Sequence, residues 1–392
     1  MKIAIIAEVA DHRSGARVPI ELSLALAEEK QTIFFYANEK GKNSFTIDKL
    51  KKKGVKIRLI SNKKRTRLSR FIFPFQKSIR LWKQLQQDNP DLISTHCHWP
   101  FFFSALLSKK PIYLTYHGTQ FNILQEKIFP PPQLKIKYLF LYCLDQIINF
   151  LIWLQTLFLV HSATKVIAIS NFTQQELKTL YHRSSKRIYS GISSSFYTPP
   201  NQKINKNITK YNNKIYLLTI SRFTPYKGFH NLIKIIQELK RKYPQIQLII
   251  AGKTSNTKYT QYLLQNSSNT TIFNTNLRDQ DINNLYQKAY IYLSADEYLF
   301  WGLPILEAAS HSLPAISLNR CAATEVILDK KTGFIVNNFT EMKKKIILLL
   351  ENPQLQKLMG KKAYQYSRQF SWQVSARNYL HFFSLSQHHK KQ

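Results

Sequence analysis

The sequence predicts an α/β chain of two consecutive doubly wound, Rossmann-like domains facing a central cleft. Three observations lead there. The 392 residues exceed the size at which one hydrophobic core usually stops growing. Hydrophobic residues at 44% and aromatics at 13% are enough for two packed cores. Short apolar runs alternate twice with segments of helical period, the pattern of a parallel sheet with helices on both faces.

The first series places strands at 2–7, 31–37, 55–60, 91–95, 111–115 and 166–169, with helices such as 17–28 and 68–86 between them. The opening run, Lys2-Ile3-Ala4-Ile5-Ile6-Ala7, is broken by Glu8 and reads as a buried strand, too short for a signal peptide. The alternation pauses over 197–213, a stretch with Pro199, Pro200 and many Asn and Lys residues that reads as a connection. The second series places strands at 215–220, 247–251, 271–273, 291–293 and 315–317, with helices near 228–242, 280–288 and 303–311. The expected division is a first domain over 1–196, a linker over 197–213, a second domain over 214–371 and a closing helix over 372–392. In such sheets ligands bind at the carboxyl ends of the strands.

Charge is the unusual number: 57 Lys and Arg stand against 22 Asp and Glu, a formal +35. That balance attracts polyanions, whether nucleic acid, anionic headgroups or phosphorylated substrates, and it equally fits a composition rich in Lys, Asn and Ile. No helix-turn-helix, zinc-finger spacing or RNA-binding aromatic motif accompanies the charge, so nucleic acid is not expected as a partner. Cys97, Cys143 and Cys321 lie far apart without a CxxC pair, which suggests neither a disulfide framework nor zinc, and a cytoplasmic location is expected.

Two segments of the first half stand out. Basic and aromatic residues interleave from Asn62 through Arg67, Phe71, Phe75, Lys77, Arg80 and Trp82 to Lys83. They suit a surface lying against anionic lipid headgroups, and equally a solvated basic helix face. Residues 138–160 are almost wholly apolar or aromatic, long enough to span a bilayer. Asp145, Gln146, Asn149 and Gln155 interrupt them, and a span would split a domain, so a buried or interfacial helix is expected. Together the two segments suggest peripheral attachment at the inner face of a membrane.

Two constellations carry chemistry. Gly302-Leu303-Pro304-Ile305-Leu306-Glu307 follows a strand; Pro304 suits the first turn of a helix, and the preceding turn offers backbone N–H groups to phosphate or sugar oxygens. Glu307 falls in that first turn, where a carboxylate can hold a ribose diol or complement the helix dipole. Arg222 and Lys227 sit five apart on the loop after the strand 215–220, a planar fork and a compact charge for a diphosphate. His96 and His98 flank Cys97, but no metal site is predicted.

These residues, with Gly228, Gly252, Thr324-Glu325-Val326-Ile327, Thr332-Gly333-Phe334 and the closing Phe370-Ser371-Trp372, resemble glycosyltransferase family 4, the group 1 glycosyl transferases of GT-B fold. The likeness is specific from about residue 215 to Trp372 and looser before it, at Ser14-Gly15-Ala16-Arg17, Tyr116-His117-Gly118 and Ile167-Ala168-Ile169-Ser170. It implies a retaining, metal-independent hexosyltransferase without a cofactor, using a nucleotide-sugar donor. The segments 62–83 and 138–160 suit a lipid-linked or anionic acceptor, as in cell-surface polysaccharide or lipopolysaccharide biosynthesis. In that resemblance Arg222 and Lys227 hold the donor diphosphate, Glu307 the ribose, Gly15 closes over the phosphates, and His117 lies close to the transferred sugar. Gly302, Leu303, Pro304 and Ile305 complete the donor site, and the last helix crosses back to the first domain.

The chain departs from the family where a second Glu is usual eight positions before Glu307, because that position is Leu299. Glu297 is the candidate to take the missing role through a local bulge, and Phe300 stands where a small residue is usual. An unusual sugar or a catalytically weak, binding member of the fold would both account for the change.

Overall fold

The computed structural model describes residues 1–11, 17–39, 42–61, 69–96, 101–119, 135–197, 214–275 and 277–388, with backbone alone at 69–76, 135–138, 141 and 386–388. It divides into two compact units: 1–119, 153–191 and 371–392 form the first, 120–152 and 192–370 the second.

The first unit is built on a seven-stranded, wholly parallel sheet. Its strands are β1 (Lys2–Val9), β2 (Thr32–Asn38), β3 (Lys56–Ile60), β4 (Leu92–Thr95), β5 (Ile112–Tyr116), β6 (Lys165–Ala168) and β7 (Lys186–Arg187), in the order β3-β2-β1-β4-β5-β6-β7. The central strands read as apolar runs because both faces are covered: Ile3, Ile5, Ile6, Leu92 and Ile93 are wholly buried. Side chains of the helices Ser69–Asp88 (Leu81, Leu85) and Phe101–Leu107 (Phe102, Ala105) fill one core with β1, β4 and β5.

The closing helix Trp372–His388 belongs to this unit. Tyr379 reaches Thr115 (3.1 Å between hydroxyls), and the Phe383 ring meets Tyr113 edge-on at 4.6 Å. The hydroxyl of Ser375 donates to the carbonyl of Tyr189 at 2.6 Å.

The second unit repeats the plan with six parallel strands: β8 (Ile215–Ile220), β9 (Ile246–Gly252), β10 (Thr271–Thr275), β11 (Ala289–Ser294), β12 (Ala315–Leu318) and β13 (Gly333–Val336). Their order, β10-β9-β8-β11-β12-β13, reverses direction between β8 and β11 as the first sheet does between β1 and β4. The core joins Leu217, Leu248, Ile291 and Ile316 to Phe229, Leu232 and Ile236 of the helix Phe229–Lys240 and to Met342 and Ile346 of the helix Phe339–Glu351. An apolar stripe at a three- and four-residue spacing brings each helix onto the sheet.

The helix Lys135–Ser162 runs 28 residues, longer at both ends than the apolar run predicts. It is neither fully buried nor fully solvated. Leu159 and Val160 lie in the core of the first unit while Phe140, Ile147 and Leu151 are more than half exposed.

Candidate donor site in the second unit

A crevice forms beside any doubly wound sheet where the strand order reverses, outside the carboxyl ends of the strands. In the second unit that point lies between β8 and β11, and a cleft of about 240 Å³ opens there. It is lined by the end of β8 and the following loop (Ser221, Arg222, Tyr226, Lys227), by the end of β11 and the segment after it (Tyr292, Ser294, Asp296, Tyr298, Phe300 among others, but not Glu297), and by Trp301, Gly302, Pro304 and Ile305 at the start of the helix Leu303–Ser310.

Local sequence explains each wall. Gly228 ends the β8 loop with φ +66° and caps the helix Phe229–Lys240; a Cβ there would come within 2.5 Å of the carbonyl oxygen of Ala295, so the two loops meet backbone to backbone. The amide of Glu297 donates to the carbonyl of Tyr226 at 3.0 Å, fixing the same approach one turn further out. Gly302 adopts φ +95° as the cap of the helix Leu303–Ser310, with Pro304 in the first turn where its missing N–H costs nothing.

The charged groups are arranged by these loops. Lys227 is ion-paired to Asp296, and its Nζ lies 4.9 Å from the centre of the Tyr226 ring. Asp296 also accepts the amide of Tyr298 at 3.0 Å through its other oxygen. The Arg222 guanidinium donates to the Tyr226 hydroxyl at 3.1 Å. Tyr226, Tyr298 and Phe300 follow one another across the mouth, with ring centres 5.8 and 6.0 Å apart. At the back, the Tyr292 hydroxyl donates to the carbonyl of Ile220 at 3.1 Å, and burial raises its pKa far above the ordinary phenol value. Two cations, a helix N-terminus and aromatic walls make a receptor for a phosphate-bearing ligand that also carries a ring.

Of the residues singled out in the sequence, Arg222, Lys227, Gly302, Pro304 and Ile305 line this cleft, and Leu303 does not. Glu307 is 3% exposed and lies outside the lining, its Oε2 accepting from the Tyr286 hydroxyl at 3.0 Å. Glu297 is turned to Arg320, whose Nε donates to it at 2.7 Å, and it does not line the cleft. Leu299 and Phe300 do. Gly15, Cys97 and His98 lie outside the described residues, as do 62–68 of the basic segment and most of the connection over 197–213.

Sequence reasoning missed Asp296 as the acid of the site. Asp296 follows two residues after the end of β11, in an irregular segment whose residues line the cleft on both sides of it, so no periodicity in the sequence separates it from Glu297.

In the first unit His117 follows β5 and His96 follows β4, and their imidazoles share one hydrogen bond, His96 Nδ1 to His117 Nε2 at 3.2 Å. Burial, and next the neighbouring His117 ring, holds His96 well below the ordinary imidazole range. Two residues past His117, the amide of Thr119 donates to both carboxylate oxygens of Glu176 at 3.4 Å. Burial pushes the Glu176 carboxyl up to about 7.

Comparison with known proteins agrees with this architecture. The family model of the group 1 glycosyl transferases matches residues 200–366, and that of Glycosyltransferase Family 4 matches residues 15–196. This chain belongs to the group 1, family 4 glycosyltransferases. An uncharacterized glycosyltransferase of Methanocaldococcus jannaschii is 24% identical over 296 residues, 74% of each chain. One of Haemophilus influenzae is 30% identical over 168 residues, 42% of this chain and 47% of its own, so the match spans about half of that relative.

Among solved structures, Anabaena HepE in complex with UDP and glucose superposes with a TM-score of 0.77 at 17% identity, over 98% of this chain and 99% of that one. WaaG, a glycosyltransferase involved in lipopolysaccharide biosynthesis, superposes with a TM-score of 0.69 at 12% identity, over 96% and 98%. The fold is GT-B, and the protein is a glycosyltransferase of that type.

Proposed function

We propose that this chain is a retaining, metal-independent hexosyltransferase that takes its sugar from a nucleotide-sugar bound in the second unit's cleft. The receiving molecule is a glycan or a lipid-linked acceptor in cell-surface polysaccharide or lipopolysaccharide synthesis. One observation carries the reading: Arg222 and Lys227 share the β8/β11 mouth with the N-terminal end of the helix Leu303–Ser310.

In the reaction the bond from the anomeric carbon to the diphosphate breaks and a bond to an acceptor hydroxyl oxygen forms. The hydroxyl proton leaves with the nucleoside diphosphate. Negative charge therefore grows on the departing diphosphate, and fixed cations and helix-end amides aimed at it stabilise the transition state most. Those groups supply the positive charge, so the reading assigns no metal. Glu307 is assigned to the ribose and His117 to the transferred sugar by the family resemblance. HepE, solved with UDP-glucose, supports a uridine nucleotide as the first donor to try, and WaaG supports a lipopolysaccharide-like acceptor.

The test is a thermal-shift panel of nucleoside diphosphates and their sugars. One nucleotide should raise the melting temperature by mass action, and Arg222→Ala and Lys227→Ala should both lose that shift, Arg222→Ala melting normally without ligand and Lys227→Ala somewhat lower because Asp296 loses its partner. No shift with any nucleotide, or a full shift in both variants, overturns the assignment.

A second reading, a catalytically weak GT-B protein kept for binding, is favoured by Leu299 and Phe300 in the cleft wall. It predicts the nucleotide shift without sugar release.

A further inference from the structure

We infer that the outward face of the helix Lys135–Ser162 is a docking surface for an anionic lipid bilayer, with the helix lying in the plane of the headgroups. The inference is independent of the donor chemistry.

Phe140, Leu144, Ile147, Leu151, Leu154 and Phe158 recur at spacings of four and three residues, and each is between 36% and 67% exposed. At 3.6 residues per turn they form one stripe roughly 27 Å long. Leu139 and Phe150, 62% and 59% exposed, widen it to an arc of roughly 140°. Asp145 is the one charged residue of the sequence between 138 and 160, and it is wholly buried on the opposite side of the helix. Contiguous apolar surface of this kind on a soluble chain marks an interaction site.

The helix is apolar and long enough to cross a membrane, but its packing forbids that. Leu159 and Val160 fill the first unit's core. The Trp153 indole donates to the carbonyl of Leu180 at 3.1 Å, and His161 Nε2 donates to that of Tyr181 at 2.8 Å. A span would pull all four from the sheet's flank, whereas burial of the outward stripe to the acyl boundary leaves them in place.

Charge decides between a bilayer and a second copy of this chain. A seam at three- and four-residue spacing also suits a helix pair, but self-association would bring two bodies of formal charge +35 together. Among the described residues of the helix, Asp145 is the one acid, and its burial leaves nothing on the stripe to offset that repulsion. An anionic surface is attracted by the same charge, and exposed Lys178 and Leu180 lie at the end of the helix Asn171–Tyr181, the end that Trp153 contacts.

The basic segment Asn62–Lys83 is the weaker contributor where it is described. Lys77 donates to Asn38, Arg80 to the carbonyl of Ser61 and Trp82 to that of Leu107, so these side chains hold their own unit together.

The experiment is co-sedimentation of the full chain with phosphatidylcholine vesicles and with phosphatidylcholine–phosphatidylglycerol vesicles. The wild type should partition onto the anionic vesicles and far less onto the neutral ones. Ile147→Gln/Leu151→Gln/Leu154→Gln should partition at least about tenfold more weakly while keeping its melting temperature, since all three side chains face water. If that variant folds poorly, Phe140→Gln/Phe158→Gln at the two ends of the stripe serves the same purpose. Three results overturn the inference: undiminished binding by a folded variant, equal binding to both vesicle types, or a lipid-free wild-type dimer that the substitutions dissociate. The nucleotide-induced thermal shift, measured on the same variants, should be unchanged, so failure here and failure of the donor assignment are separable.

Discussion

Lys227 and Asp296 form an ion pair inside the second unit's cleft, one from the β8 loop and one from the extension of β11. Both side chains are largely removed from water, at 15% and 9% exposure. On the proposed reading, the lysine for the donor diphosphate is held by a carboxylate until an anionic ligand competes for it. The pair also fixes the distance between the two loops, which the Glu297 amide to Tyr226 carbonyl bond sets independently.

Asp296→Asn removes a negative charge beside the expected diphosphate and leaves the side chain's shape. Nucleoside diphosphate affinity should rise about fivefold, as expected for one nearby charge at intermediate dielectric. Turnover should fall, because Lys227 loses the partner that aims it. Isothermal titration and steady-state kinetics on the same variant check both halves. Weaker nucleotide binding would show that Asp296 contacts the donor directly.

Glu176 predicts a pH dependence in the first unit. Its carboxyl is pushed from the ordinary 4.5 to about 7, mainly by burial, against the opposing hydrogen bonds from Tyr116 and the Thr119 amide. The folded state therefore binds more protons than the unfolded state between those two values. Stability falls as pH rises through that window, by roughly 3 kcal/mol at most. Glu176→Gln cannot ionise, so it should flatten this part of the curve and melt higher than the wild type above pH 7. Parallel curves for the two proteins would mean that Glu176 titrates normally.

Much of the fold was legible because parallel strands are buried on both faces. The runs at 215–220, 247–251 and 315–317 match β8, β9 and β12 to within a residue at each end. β7, two exposed residues at a sheet edge, left no apolar run to see. The helices Phe339–Glu351 and Pro353–Ser367 are amphipathic, and their boundary is a single Asn352 before Pro353, with the apolar run Ile346–Leu350 on one side and Leu355 on the other, too short a break to separate two helices by pattern. The two compact units part at Gly191 and Phe370. Contacts made far along the sequence decide such membership, and no local pattern encodes them.

Around the cleft, the places of Arg222, Lys227 and Gly302 were legible and that of Asp296 was not. Arg222, Lys227 and Gly302 sit on loops whose place follows from the strands before them. Glu297 and Asp296 are neighbours in the irregular segment after β11, and their side chains part because Asp296 pairs with Lys227 while Glu297 pairs with Arg320. Glu307 was expected at the mouth because it lies in the helix's first turns, yet its side chain meets Tyr286, a residue from the helix Asp279–Lys288.

That contact gives the last prediction. The Tyr286 hydroxyl lies 3.0 Å from Glu307 Oε2, which accepts its proton, and 3.2 Å from the carbonyl oxygen of Pro304. The ring stacks on His311 at 5.2 Å, and His311 Nδ1 donates to the Glu307 carbonyl at 2.8 Å. Tyr286→Phe keeps the ring and removes the one proton, so the melting temperature should drop by the equivalent of about 1–2 kcal/mol. If Glu307 holds the ribose, a carboxylate without this anchor should bind a nucleoside diphosphate several-fold more weakly and bind pyrophosphate as before. Equal weakening toward both ligands would instead mean that the substitution disturbs the helix N-terminus through Pro304, and that Glu307 acts on the phosphates' side of the cleft or only on the fold.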